Sequence, residues 1–168
     1  FGIVTPITLL ELSDLNRPLL RTLATRAPGT NTHSVILANL SESAAESIGA
    51  NALLLRAGCY YHDIGKIVRP QYYAENQIGG NPHDELQPQM SALILISHVR
   101  EGMRIAEEEG LPQILIDLIP QHHGTGEIAY FKHRAIERGM KDFHEEAFHY
   151  PGPKPQTKEA GILMLADC

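Results

Sequence analysis

Apolar residues along this chain recur at helical spacing, and proline, glycine and short polar residues cut them into segments. RPLLRTLATRA at 17–27 opens with Pro18 after Asn16, a good capping residue, and stops at Pro28-Gly29. Thr30 or Asn31 then caps a helix running to about Ile48, with Gly49 as its stop. Asn51 opens ALLLRAGCYYHDIGK, a helix expected to end before Pro70. Pro88 opens a long helix to about Glu109, closed by Gly110, and Pro112 opens ILIDLIPQHH, ended by Gly124. Further helices are predicted near 127–138 and from about Thr157. Residues 71–87, with Gly79-Gly80 and Asn81-Pro82, read as a loop, as does 139–156 with its proline-rich YPGPKPQ; these are the expected mobile regions. No alternating strand pattern stands out, so the expectation is an all-α chain folded as one compact domain over residues 1–168.

A length of 168 residues suits one domain. Tryptophan is absent and aromatics are only 6%, so the core must be built mostly from Leu, Ile, Ala and Val. A net charge of −6 argues against a surface for DNA or RNA polymers, which would be basic. It leaves a small phosphate substrate open, because bound metals bring positive charge locally. Cys59 and Cys168 form no CxxC pair and no disulfide framework, which suits a reducing cytoplasm. The longest apolar runs, SALILIS and ILIDLI, are far too short to span a bilayer. The chain starts at Phe1 and stops just after the apolar LMLAD, and it reads as a piece of a longer protein.

The chemistry lies in His33, His62, Asp63, His98, His122, His123 and Asp167. Five imidazoles and two carboxylates are enough donors for two divalent transition-metal ions, and they suit iron, manganese or zinc. Read singly, each has a plainer explanation. His62-Asp63 can be a surface pair, His122-His123 a polar last turn complementing a helix dipole, and His98 a hydrogen-bonded core residue. On a predicted helix His62 and Asp63 point about 100° apart, and Lys66 follows on the side of both. A cation there reaches a phosphate oxygen rather than a metal. His83, His133, His144 and His149 stand in polar or loop contexts and receive no metal role. The ordered set His…His-Asp…His…His-His…Asp changes the weighting, because every member lies near a helix end or on an apolar face.

At that point the chain resembles the HD-domain phosphohydrolases, whose namesake pair matches His62-Asp63 in GCYYHDIGK. The resemblance narrows through APGTNTHS at 27–34, YYHDIGKIVRP at 60–70, ENQ at 75–77, NPHDEL at 81–86, QHHGT at 121–125 and YPGPKPQTKEAGILMLAD at 150–167. These segments are similar to the cytoplasmic HD domain of the seven-transmembrane HD receptors, bacterial membrane proteins that hydrolyse cyclic di-AMP.

What the resemblance implies is specific. The fold would be an HD-domain helical bundle. One metal would be held by His33, His62, Asp63 and Asp167 and the other by His98, His122, His123 and a bridging Asp63, with iron the first choice and manganese the second. A hydroxide held between the metals would open one phosphodiester of cyclic di-AMP to give pApA. Lys66 would contact the phosphate. Thr125 is the first candidate for substrate contact, with Tyr60, Asn76 and Arg104 next and Tyr61 and Tyr130 also considered. The parent protein would be membrane-anchored with this domain on the cytoplasmic side, and the reading leaves room for a homodimer. Three alternatives stand beside it: another HD activity, such as a nucleotidase or a cyclic di-GMP phosphodiesterase; a catalytically silent nucleotide sensor; and a helical interaction domain with scattered histidines. The GYP element of the cyclic di-GMP enzymes is missing, since the doublet is followed by Gly124-Thr125.

Overall fold

The computed structural model describes residues 4–140 and 144–168. Helices dominate them: α1 (Pro6–Leu12), α2 (Pro18–Arg26), α3 (Pro28–Ile48), α4 (Ala52–Tyr61), α5 (Pro88–Glu108), α6 (Gln113–Ile116), α7 (Leu118–Gln121), α8 (Ala129–Glu137) and α9 (Lys158–Asp167). The described residues contain no β-sheet, only an isolated antiparallel bridge between Glu127 and His149. The all-α expectation is met. Among the described residues, no helix is long and apolar enough to cross a membrane.

The core forms where α3 packs along α4 and α9. The buried face of α3 is Thr30, Ser34, Leu37, Ala38, Ser41 and Ala45, a helical repeat of mostly small residues that lets neighbouring backbones come close. Large side chains from the other helices fill the remaining space, among them Leu20, Leu23, Leu55, Ile64, Leu115, Ile119 and Leu163. A smaller apolar cluster of Ala92, Ile128, Phe131, Ala135 and Phe148 joins α8 to α5.

Local signals explain most boundaries. The Asn51 side chain accepts from Leu54 N–H and the Thr157 side chain from Ala160 N–H, so both predicted caps are made. Gly49 ends α3 in the left-handed conformation at φ 65°. Four expectations need correction. The sequence reading did not include α1, although the Thr5 hydroxyl caps it by accepting from Thr8 N–H. Helix α3 starts at Pro28, not at Thr30 or Asn31, and its cap comes from elsewhere in the chain. The Asn76 side-chain oxygen accepts from Gly29 N–H at 2.9 Å and Thr30 N–H at 3.2 Å. Helix α4 stops at Tyr61 and gives way to a 3₁₀ turn over Ile64–Val68. The segment ILIDLIPQHH is broken at Asp117 into α6 and α7, because Pro120 offers no N–H to Ile116 and its ring crowds that carbonyl.

The two expected loops are also more structured than predicted. Residues 71–87 contain parts of three 3₁₀ turns, at Pro70–Tyr72, Ala74–Asn76 and Pro82–Glu85. Tyr73 donates its hydroxyl to Ile94 O, and buried His83 donates Nε2–H to Tyr72 O. In the 139–156 segment, Glu145–Phe148 form another 3₁₀ turn with Phe148 buried; residues 141–143 lie outside the described residues.

The turn after α4 is held against α5 by glycine. A Cβ on Gly65 would stand 1.9 Å from His98 O and 2.6 Å from Gly102 N, both backbone atoms that cannot rotate away. Gly65→Ala should therefore cost at least about 2 kcal/mol of stability in urea unfolding, at the high end of overpacking effects. Wild-type stability in that variant would show that the contact has slack.

Candidate metal centre

Five helices deliver the seven predicted ligands to one place. α3 carries His33, the end of α4 carries His62 and Asp63, and α5 carries His98. His122 and His123 follow α7, and Asp167 closes α9. The breaks at Tyr61 and Gln121 matter here. Each ends a regular helix just before an adjacent ligand pair, so neighbouring side chains can turn to the same side.

Asp63 is the hub. Its Oδ1 is 3.2 Å from His98 Nε2 and 3.7 Å from His122 Nε2. Its Oδ2 is 3.2 Å from His62 Nε2 and 2.7 Å from Lys66 Nζ. Asp167 Oδ1 lies 2.7 Å from His33 Nε2 and 3.5 Å from His62 Nε2. Donor atoms of His33, His62, Asp63 and Asp167 all lie within 4.8 Å of one another, and those of His98, His122 and His123 form a second such group. Either group can hold a metal ion.

The local bonding fits that use. His62, His98 and His122 each place Nδ1 at 2.5–2.7 Å from the backbone carbonyl three residues earlier, those of Cys59, Leu95 and Ile119. A carbonyl only accepts, so Nδ1 carries a proton in all three and Nε2 is the ring atom turned into the cluster. His123 is held differently. Its ring stacks on Tyr150 at 4.1 Å and 21°. His62 Nε2 and Asp63 Oδ1 are buried with no hydrogen-bond partner among the described residues. Such orphans cost about 1–3 kcal/mol each, more when charged, and metal ions held by the two donor groups would remove that cost.

The charges are strongly coupled. Burial pushes Asp63 toward its neutral form, but Lys66 and His62 outweigh it and hold the carboxyl well below the usual carboxylate range. Burial likewise opposes charge on His62, yet Asp63 and Asp167 raise it to about 10. Burial dominates for the other face, lowering His98 to about 4 and both His122 and His123 to about 3. Asp167 is held far below its ordinary value by His33 and His62, against its own burial.

Lys66 lies deeper in the network than its expected phosphate contact implied. It bonds Asp63 and also Glu75 Oε1 at 2.9 Å, and it sits 5.1 Å from the centre of the Tyr73 ring. Glu75 in turn accepts from the Thr30 hydroxyl at 2.8 Å. Glu75, Tyr73 and Tyr150 are not foreseeable from sequence, since an acid or a tyrosine in a connecting segment carries no local signature of its partners. A cleft of about 310 Å³ opens beside the cluster, walled by Lys66, Glu75, His98 and His123 with Tyr73 and Tyr150. A recess of about 250 Å³ reaches His33 and Asp167 and shares Lys66, Glu75 and His123 with it.

The expected substrate contacts are placed elsewhere. Tyr60 is buried, with its hydroxyl accepting from Arg56, and Tyr61 donates its hydroxyl to Leu12 O; both are core residues. Asn76 is spent on capping α3. Arg104 is on the surface of α5, paired with Glu101 and Glu108. Tyr130 is exposed under Arg134. Thr125 is exposed on the turn after the doublet, its carbonyl 3.3 Å from His149 Nδ1, and it does not line either cleft.

The chain belongs to the HD domain family, whose profile matches residues 30–168 and so takes in all seven of these residues. Two curated relatives are cyclic-di-AMP phosphodiesterases PgpH. The one from Bacillus subtilis is 52% identical over 99% of this chain and 24% of its own length. The one from Listeria monocytogenes is 49% identical over 99% of this chain and 23% of its own. The chain thus spans about a quarter of the length of these relatives. Among solved structures, the HD domain of L. monocytogenes PgpH matches with a TM-score of 0.85 at 49% identity, covering 90% of this chain and 71% of that one. The same domain in complex with cyclic-di-AMP matches with a TM-score of 0.86, at the same identity and shares.

The titration pattern predicts a pH response of the metal-free protein. His98, His122 and His123 stay neutral when folded, so below about pH 6.5 the unfolded chain takes up protons that the folded one refuses. Each contributes up to roughly 1.4 kcal/mol of lost stability per pH unit in that range. His62 acts in the opposite sense. Its contribution is full below about pH 6.5 and is lost as pH rises toward about 10. The urea midpoint of metal-free protein should drop from pH 7 to pH 5; a midpoint that rises over that interval would contradict the assignment.

Proposed function

We propose that this domain is a metal-dependent phosphodiesterase that hydrolyses cyclic di-AMP to linear pApA. One observation carries the reading: a single buried aspartate, Asp63, turns one oxygen toward His98 and His122 and the other toward His62, between two donor groups. His33, His62, Asp63 and Asp167 would hold one divalent ion, and His98, His122, His123 and the bridging Asp63 the other. Iron is the first choice and manganese the second; the imidazole-rich set suits both, and the order follows the family resemblance. When bound, such a pair lowers the pKa of a water and draws charge from phosphate oxygens.

The chain's own residues do the rest. The Nδ1–H bonds of His62, His98 and His122 fix ring orientation before substrate arrives, so little reorganisation remains for the reaction. Lys66 holds Asp63 in place and faces both clefts, where its ammonium can accompany the phosphate as negative charge grows. Tyr150 packs His123 in place and walls off water on that side. The choice of cyclic di-AMP follows the PgpH relatives. The cytoplasmic, membrane-tethered setting follows the resemblance to the seven-transmembrane HD receptors, with the remaining three quarters of such a protein available for the anchor.

Three outcomes test this. Anaerobically purified protein should carry two metals per chain and release pApA from cyclic di-AMP in preference to products from cyclic di-GMP. Two metals with tight cyclic di-AMP binding and no product would indicate a sensor instead. Asp63→Ala should lose metal and turnover together, and turnover with full metal content would refute the bridging role. Lys66→Ala should keep both metals and slow hydrolysis by roughly a hundredfold, the usual effect of deleting one charge-stabilising donor; an unchanged rate would remove Lys66 from the reaction.

A further inference from the structure

We infer that Gln77, oriented by Asn81, reads the substrate's base and selects adenine over guanine; the inference rests on the cyclic dinucleotide reading above. Both amides line the 310 Å³ cleft that shares Lys66, His98 and His123 with the metal cluster. A phosphate held at the cluster leaves this cleft as adjoining room for a base. Tyr72, Phe131 and Tyr150 give it aromatic walls suited to stacking on a purine of either kind. Stacking accepts any base, so selection must come from a polar group that faces a base edge.

The orientation of Gln77 is determined by a short chain of bonds. Asn81 Oδ1 accepts the backbone N–H of His83 at 3.0 Å, which identifies that atom as the oxygen. The same Oδ1 accepts from Gln77 Nε2 at 3.2 Å. Turning the Gln77 amide over would set two oxygens against each other, so the amide has one stable orientation. Its second N–H and its Oε1 then stand free, with no partner among the described residues. Together they offer one donor and one acceptor on the same amide.

Adenine is complementary to that pair. Its N6 amino group donates to Oε1 while N7 accepts from the free N–H, the bidentate match by which Asn and Gln recognise adenine. Guanine offers two acceptors on that edge, O6 and N7, and would leave Oε1 facing an oxygen. Two neighbouring polar side chains already have partners, although the buried His83 Nδ1 has none among the described residues. Glu75 bonds Lys66 and Thr30, and His83 donates Nε2–H to Tyr72 O.

The test compares metal-loaded wild type, Gln77→Ala and Asn81→Ala on cyclic di-AMP, cyclic di-GMP and bis(p-nitrophenyl) phosphate, a diester without a base. Gln77→Ala should lower kcat/KM for cyclic di-AMP roughly tenfold to hundredfold, mainly through KM, the range set by one bidentate base contact. Metal content and turnover of the base-free diester should stay at wild-type levels, and the preference over cyclic di-GMP should shrink. Asn81→Ala should move the same quantities in the same direction by less. If cyclic di-AMP is hydrolysed and Gln77→Ala leaves both its kcat/KM and the base preference unchanged, the assignment is overturned alone. If wild type cleaves the base-free diester and not cyclic di-AMP, the substrate reading fails and takes the assignment with it.

Discussion

A carboxylate that is 1% exposed governs this structure. Asp63 sits at the junction of the bundle, and an ionised group there has lost its water and must be repaid by neighbours. Lys66 and His62 provide that compensation on one oxygen, and His98 and His122 close over the other. Each partner comes with a demand of its own. Lys66 needs Glu75, Glu75 binds Thr30, and the following residue, Asn76, caps the helix that carries His33. One charge thus ties α3, the turn after α4, the 3₁₀ segment at 74–76, α5 and α7 into a single network.

The histidines show how the bundle converts helix geometry into ligand geometry. Three of them find a carbonyl three residues back, which fixes the tautomer without a separate side chain for each. The metal-free cluster holds opposing preferences, with His62 charged and His98, His122 and His123 neutral. A metal at His62 must displace a proton, whereas the other face offers neutral donors already. Affinity at the two groups should therefore depend on pH in different ways.

Much of this was legible from sequence where the signal is local. Asn51, Thr157, Gly49 and Pro88 mark their helix ends by capping, left-handed geometry or fixed φ, and the structure follows them. The early stop of α4 at Tyr61 was not, because the sequence through HDIGK keeps a helical look; the glycine contact of Gly65 with His98 and Gly102 pulls the chain into a 3₁₀ turn. The seven candidate ligands stand out only as a set, since their order and their apolar or helix-end settings agree, while no single one of them is persuasive. The chemical types of Tyr60, Asn76 and Arg104 suit substrate contact, but type alone does not reveal that one is core, one a cap and one surface. Glu75 and Gln77 acquire meaning only through partners brought near by folding, and no spacing rule points to them.

The central claim is that Asp63 bridges two metals. Anomalous X-ray diffraction from anaerobic, iron-loaded crystals tests it most directly. The account predicts two peaks about 3.5–4 Å apart, one on each side of the Asp63 carboxylate. A single peak, or a second one beyond bridging distance of Asp63, would contradict it.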